Sequence, residues 1–156
     1  AGLVELANVN CPGQIVVSGT REGVEAVAAR GKEAGAKRAV PLEVSGPFHS
    51  SLMKPAAEQF ADVLEKVSLK TASVPVVCNV TARPETDPDR IRSLLIEQIY
   101  SPVLWEDSIA WMISQGVDTF VEIGSGTVLS GLIKKIDRGV RAVSLYNLET
   151  IEQFAL

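Results

Sequence analysis

Apolar and polar positions alternate loosely from Val4 to Asn10 (VELANVN), a spacing that predicts a strand. Cys11-Pro12-Gly13 predicts a turn, and the β-branched run Gln14 to Ser18 (QIVVS) a second strand, so the two read as a hairpin. Thr20 is placed to cap a helix from Arg21 to about Ala34, with Val24, Val27 and Ala28 as its apolar stripe and Gly35 as its stop. Lys37 to Val44 (KRAVPLEV) reads as a third strand, which Pro41 pushes toward a sheet edge. The order over this first segment is β-β-α-β.

Ser45 to Phe48 reads as a loop. A long amphipathic helix is expected from Ser50 to about Val67, with Leu52, Met53, Ala56, Phe60, Val63, Leu64 and Val67 turned inward. Val74 to Val80 (VPVVCNV) predicts a compact buried strand, and Thr81 to Asp87 a polar loop. Asp87-Pro88 opens a helix to Ile99, Ser101-Pro102 breaks it, and another spans Trp105 to Gln115 before Gly116. Thr119 to Ile123 predicts a strand that turns through Gly124-Ser125-Gly126 into a helix over 127–136. A last strand follows over 140–145 and a short helix over 150–155. Helix and strand alternating from His49 onward suggest a parallel α/β sheet, preceded by a smaller α+β piece.

The chain has 156 residues, 46% of them hydrophobic, and its mean hydropathy is +0.19. That is enough apolar material for a core and excludes wholesale disorder. A formal net charge of -4 without a basic block argues against a nucleic-acid partner. No apolar run approaches the ~18 residues of a membrane span, so no membrane partner is expected. The opening Ala1-Gly2-Leu3-Val4-Glu5 has neither an initiator Met nor a signal-peptide pattern, which predicts a cut or mature terminus. Cys11 and Cys78 lie far apart without metal-ligand spacing and read as buried thiols of a cytoplasmic protein.

His49 is the sole histidine, set in a Gly-Pro loop between a strand and a helix, where α/β folds place catalytic groups. One histidine makes no metal site. As a base for acyl transfer it would need a nucleophile and an oxyanion hole. The G-x-S-x-G elbow that carries such a serine is absent. Gly124-Ser125-Gly126 has the position of a phosphate turn but neither the G-x-G-x-x-G nor the P-loop pattern, so a tight strand-to-helix turn is the simpler reading. Asn8, Asn10 and Gln14 bracket the first turn, where they either shape the turn or donate to a polar ligand. Lys134, Lys135, Arg138 and Arg141 form a basic cluster that suits either an acidic partner or a solvated helix end.

Several strings are more specific than this chemistry. They are Asn8 to Gly19 (NVNCPGQIVVSG), Gly35 to Leu42 (GAKRAVPL), Val44 to Ala56 (VSGPFHSSLMKPA), Pro75 to Val80 (PVVCNV), Gln98 to Trp105 (QIYSPVLW) and Phe120 to Leu132 (FVEIGSGTVLSGL). In this order they closely resemble bacterial malonyl-CoA:acyl-carrier-protein transacylases of type II fatty-acid synthesis. The resemblance covers the whole chain and about half of the family protein, its C-terminal half. It implies that residues 1–44 are most of a ferredoxin-like small domain and 45–156 the C-terminal part of an α/β-hydrolase-like large domain.

The resemblance also implies a ping-pong acyltransferase of lipid metabolism. A serine takes malonyl from malonyl-CoA as an ester, and the phosphopantetheine thiol of acyl carrier protein removes it. No further cofactor is implied. His49 matches the family's general base and Gln98 the residue whose backbone carbonyl orients it. Asn10 and Asn8 match asparagines near the bound acyl-CoA, and Phe48 matches a bulky position of malonyl-selective members. The elbow serine, the oxyanion glutamine and the arginine for the malonyl carboxylate all belong to the N-terminal half, which becomes an expected partner. Ser125 replaces the family's usual proline. Two other readings stay open: a non-catalytic fragment that binds carrier protein or CoA, and a malonyl-loading domain of a polyketide synthase.

Overall fold

The computed structural model describes residues 2–154. β1 (Val4–Cys11) and β2 (Gln14–Gly19) form the expected antiparallel hairpin around the Pro12-Gly13 turn. Gly13 supplies the positive φ of 76° that the tight turn requires. β1 is central, because its other edge pairs in parallel with a strand from much later in the chain, β5 (Val103–Leu104). α1 (Arg21–Arg30) starts at Thr20, whose hydroxyl accepts from the Gly23 amide, and it ends earlier than the periodicity suggests. Gly23 faces the start of β1 so closely that a side chain there would collide with the Leu3 carbonyl.

The strand expected over 37–44 does not form: this stretch is exposed and unpaired. A strand exists only where a neighbour completes its ladder. The first sheet ends at β2 on one side and β5 on the other, the 37–44 stretch pairs with neither, and Pro41 has no N–H to offer.

The long helix begins as a 3₁₀ turn (Ser51–Met53) and becomes α2 (Lys54–Leu64), with Pro55 in its first turn. It buries Ala57 and Leu64, while Leu52, Val63 and Val67, expected inward, are exposed. Arg92 closes its end by donating to the carbonyls of Leu64 and Val67. The compact buried strand expected over 74–80 shrinks to β3 (Val76–Cys78), with Val74 and Val76 exposed. It pairs antiparallel with β4 (Arg83–Glu85), inside the stretch expected to be loop. Four residues between them let the chain fold straight back, and Ala82 absorbs the turn at φ 52°. Cys11 is buried as expected, but Cys78 in this hairpin is only half-buried; both thiols are free.

α3 (Pro88–Glu97) is capped by the Asp87 carboxylate, which accepts from the Arg90 amide. α4 (Trp105–Ser114) follows β5 directly and packs on β1, and its Ile109 is buried. β6 (Thr119–Ile123) and β7 (Arg141–Leu145) pair in parallel through the crossover helix α5 (Val128–Ile136). α6 (Leu148–Glu152) carries a capping box at Asn147 and starts two residues before the expected helix, whose end at Ala155 lies outside the described residues. The fold is mixed α/β. The parallel pairings are β1–β5 and β6–β7, while the middle of the chain turns back on itself as a hairpin. No helix among the described residues is long and apolar enough to cross a membrane.

Candidate functional site

His49 occupies the bend between the exposed 37–45 stretch and the 3₁₀ turn. Its φ is 59°, in the left-handed region that costs a side-chain-bearing residue of order 1 kcal/mol or more. The surroundings hold it there. Its own amide donates to the Ile99 carbonyl at 3.2 Å, and the hydroxyl of the buried Ser50 donates to the Pro47 carbonyl at 2.6 Å. The Ser51 amide donates to a Glu5 carboxylate oxygen at 2.6 Å. Three consecutive residues are thus anchored to three different places.

The imidazole Nδ1 lies 2.8 Å from the Gln98 backbone oxygen. A carbonyl only accepts, so Nδ1 carries the proton and Nε2 keeps its lone pair. The ring is fixed in the tautomer of a general base without a second charge beside it. Gln98 lies just past the end of α3, where its carbonyl is no longer needed inside the helix. Its side-chain oxygen accepts from the Asn79 amide group at 3.3 Å, and the Asn79 backbone oxygen accepts from the Leu104 amide at 2.9 Å. The β3–β4 turn therefore fastens Gln98 to β5.

The residues singled out from sequence fall into two groups. His49 and Gln98 are in direct contact although 49 positions apart. Phe48 sits beside them, 45% exposed, with its ring against Gly46. Asn8 and Asn10 are half-buried on β1, and Asn10 falls where the pairing with β2 shifts register between Val9 and Cys11. Neither makes a side-chain bond to His49. Glu5 and Asn79 were not visible in the sequence as parts of the site. Glu5 looks like any polar position of a half-buried strand, and Asn79 like the one polar residue near the end of the strand expected over 74–80.

The Gly124-Ser125-Gly126 turn is filled from within. Glu122 reaches from β6 to accept from the Leu129 and Ser130 amides at 3.0 and 2.9 Å and from the Ser144 hydroxyl at 3.1 Å. Burial pushes the Glu122 carboxyl up, but these donors outweigh it and hold it below the usual range. A carboxylate already at the start of α5 leaves that end unsuited to a phosphate. Of the basic cluster, Lys135 donates to the Gln14 side chain at 3.2 Å, and Arg141 lies over the Phe154 ring.

Two hollows open elsewhere. One of about 420 Å³ is lined by Thr81, Arg83, Leu104, Asp107 and Trp111, and one of about 470 Å³ by Val4, Ala26, Val27 and Arg30. His49 lines neither of these two.

Comparison with known proteins places this geometry. A family model described as acyl transferase domain matches residues 2–148. The chain is 57% identical over 150 residues to the malonyl CoA-acyl carrier protein transacylase of Bacillus subtilis, covering 96% of this chain and 47% of that protein. The acyl carrier protein S-malonyltransferase structure from Vibrio cholerae superposes with a TM-score of 0.93 at 41% identity, covering 97% of this chain and 50% of the other. A second structure holds a type II PKS acyl-carrier protein in complex with its malonyl-transacylase. It superposes at 0.92 with 41% identity, over 97% of this chain and 49% of the other. The chain spans about half the length of the relatives it matches.

Proposed function

This chain belongs to the acyl transferase domain family, and on that premise we propose that it supplies the histidine base for malonyl transfer from malonyl-CoA to acyl carrier protein. The observation that carries the reading is the 2.8 Å contact between His49 Nδ1 and the Gln98 carbonyl. It leaves Nε2 free to take a proton, which is what an acyl transfer asks of its base.

The serine comes from the remaining half of the enzyme. As its oxygen attacks the malonyl thioester, Nε2 takes the hydroxyl proton. The tetrahedral intermediate collapses, the carbon–sulfur bond breaks, and the imidazolium returns the proton to the leaving CoA sulfur. In the second half-reaction His49 takes the proton of the phosphopantetheine thiol. That sulfur attacks the serine ester, and the proton goes back to the departing serine oxygen.

Acyl carrier protein as acceptor is supported by the relative seen in complex with its own carrier protein. Asn8 and Asn10 are assigned to the acyl-CoA side because they match the family's asparagines there, and neither side chain has a hydrogen-bond partner among the described residues. Phe48 is assigned to disfavouring a branched acyl group, a preference of about 1–3 kcal/mol for one methyl. Residues 1–44 are assigned to a ferredoxin-like small domain and 45–156 to an α/β-hydrolase-like large domain, with β1 crossing that division to pair with β5.

The test has two arms. In the full-length enzyme containing this segment, His49→Ala is expected to lower kcat/KM for malonyl transfer by roughly 10²–10⁴-fold. The 156-residue chain alone, incubated with malonyl-CoA and weighed intact, is expected to gain no malonyl adduct. Activity surviving in His49→Ala refutes the base; an adduct on the isolated chain refutes the division of labour.

A further inference from the structure

We propose that Glu5 is a positioning residue for His49, acting through the backbone of Ser51. The inference rests on the reading of His49 as the base.

The 3₁₀ turn that follows His49 needs an acceptor for its first free amide. The residue in the N-cap position, Ser50, does not supply one. Its hydroxyl is turned back and donates to the Pro47 carbonyl at 2.6 Å, and no side-chain cap bond is made. The acceptor comes instead from β1, 46 residues away in sequence: the Glu5 carboxylate takes the Ser51 N–H at 2.6 Å. A charged acceptor at that distance is about twice as strong as a neutral one. Lys54, one turn along, adds its charge nearby and lies over the Tyr100 ring at 5.8 Å, two residues past Gln98.

His49 itself is strained at φ 59° and stays there only because its neighbours are held. Its amide is tied to Ile99, next to the residue that orients its ring. The Glu5 bond fixes the other side of the bend. Without it, the bend can relax toward ordinary φ values, and any such rotation swings the imidazole away from the Gln98 carbonyl. Glu5 touches no substrate in this arrangement; it sets where Nε2 points.

A misplacement of about 1 Å in a reacting group costs on the order of 10²-fold in rate, so a partial relaxation is readable. The experiment is single-turnover acylation of the full-length enzyme by malonyl-CoA. It gives an amplitude (the fraction of working sites) and a rate constant per working site. Glu5→Ala is expected to lower the rate constant about tenfold or more, with KM for malonyl-CoA nearly unchanged. Glu5→Gln keeps an oxygen that accepts from Ser51 and is expected to recover most of the rate. A purely structural Glu5 would lower the amplitude and leave the per-site rate constant as in the wild type, and that result overturns the proposal. So does a Glu5→Gln rate constant no better than that of Glu5→Ala. His49→Ala run in parallel separates the two claims. If it still acylates, the reading of His49 as base has failed; if it does not and the per-site rate constant of Glu5→Ala is normal, only the positioning role has failed.

Discussion

At the scale of single residues, the site is governed by where protons and backbone donors are held. Glu5 illustrates the consequence for pH. The Ser51 backbone N–H, then the Ser51 side chain, and least of all the nearby Lys54 charge hold its carboxyl below the ordinary carboxylate value, against the opposing effect of burial. A carboxyl whose folded pKa is depressed contributes stability that is complete above its unfolded value of about 4.3. That contribution is lost as pH falls from there through the lower folded value. Urea midpoints of wild-type and Glu5→Gln enzyme, followed from neutral pH into the acid range, are therefore expected to differ most at the neutral end. The two should converge on acidification. A gap that widens as pH falls would contradict the direction of the shift. Glu122 has the same sign for a similar reason, since backbone amides of α5 surround it.

At the scale of elements, a capped helix start obeys local rules, whereas a strand needs a partner that the local pattern does not name. α3 begins where Asp87-Pro88 says it should: the carboxylate caps it and the proline sits where no amide is needed. Asp87→Ala is expected to cost about 1 kcal/mol of stability. Denaturant unfolding would show this as a lower midpoint with an unchanged slope. No catalytic change beyond that is expected, unless the frayed helix moves Gln98 at its far end. The 37–44 stretch is the opposite case. Its composition suits a strand, yet it has no neighbour to complete a ladder. β5 is the complementary surprise: two residues long, with no strand-like run around it, it forms because β1 presents an open edge there. Strand formation depends on a partner's position, which no local window contains.

The whole molecule is more open than its mass predicts. Its accessible surface is 10424 Å², whereas a compact monomer of this size would expose about 7,600 Å². Ile123 on β6 is 81% exposed and Val128 at the start of α5 is 71% exposed. Parallel strands are ordinarily covered on both faces, and a two-stranded sheet is marginal on its own. The isolated chain is therefore expected to bind a hydrophobic dye and to melt with low cooperativity. Both properties should reverse when the rest of the enzyme is joined to it. A sharp melt of the isolated chain without dye binding would show that these surfaces need no cover.

The sequence by itself determined the starts of α1 and α3, the first hairpin and the β6–α5–β7 crossover, and it singled out His49 for its chemistry. Each is written in neighbouring positions: a capping side chain, a turn glycine, an apolar period, a lone imidazole in a loop. The contact of Gln98 with His49 was expected only through resemblance, because nothing local marks a backbone carbonyl as special. The tertiary structure alone decided that Glu5 and Asn79 belong to the site. It also decided that β1 is shared between β2 and β5 and that the 37–44 stretch stays unpaired. These depend on which groups lie within about 3 Å of one another across dozens of residues, and distance in space is the quantity a linear pattern does not encode.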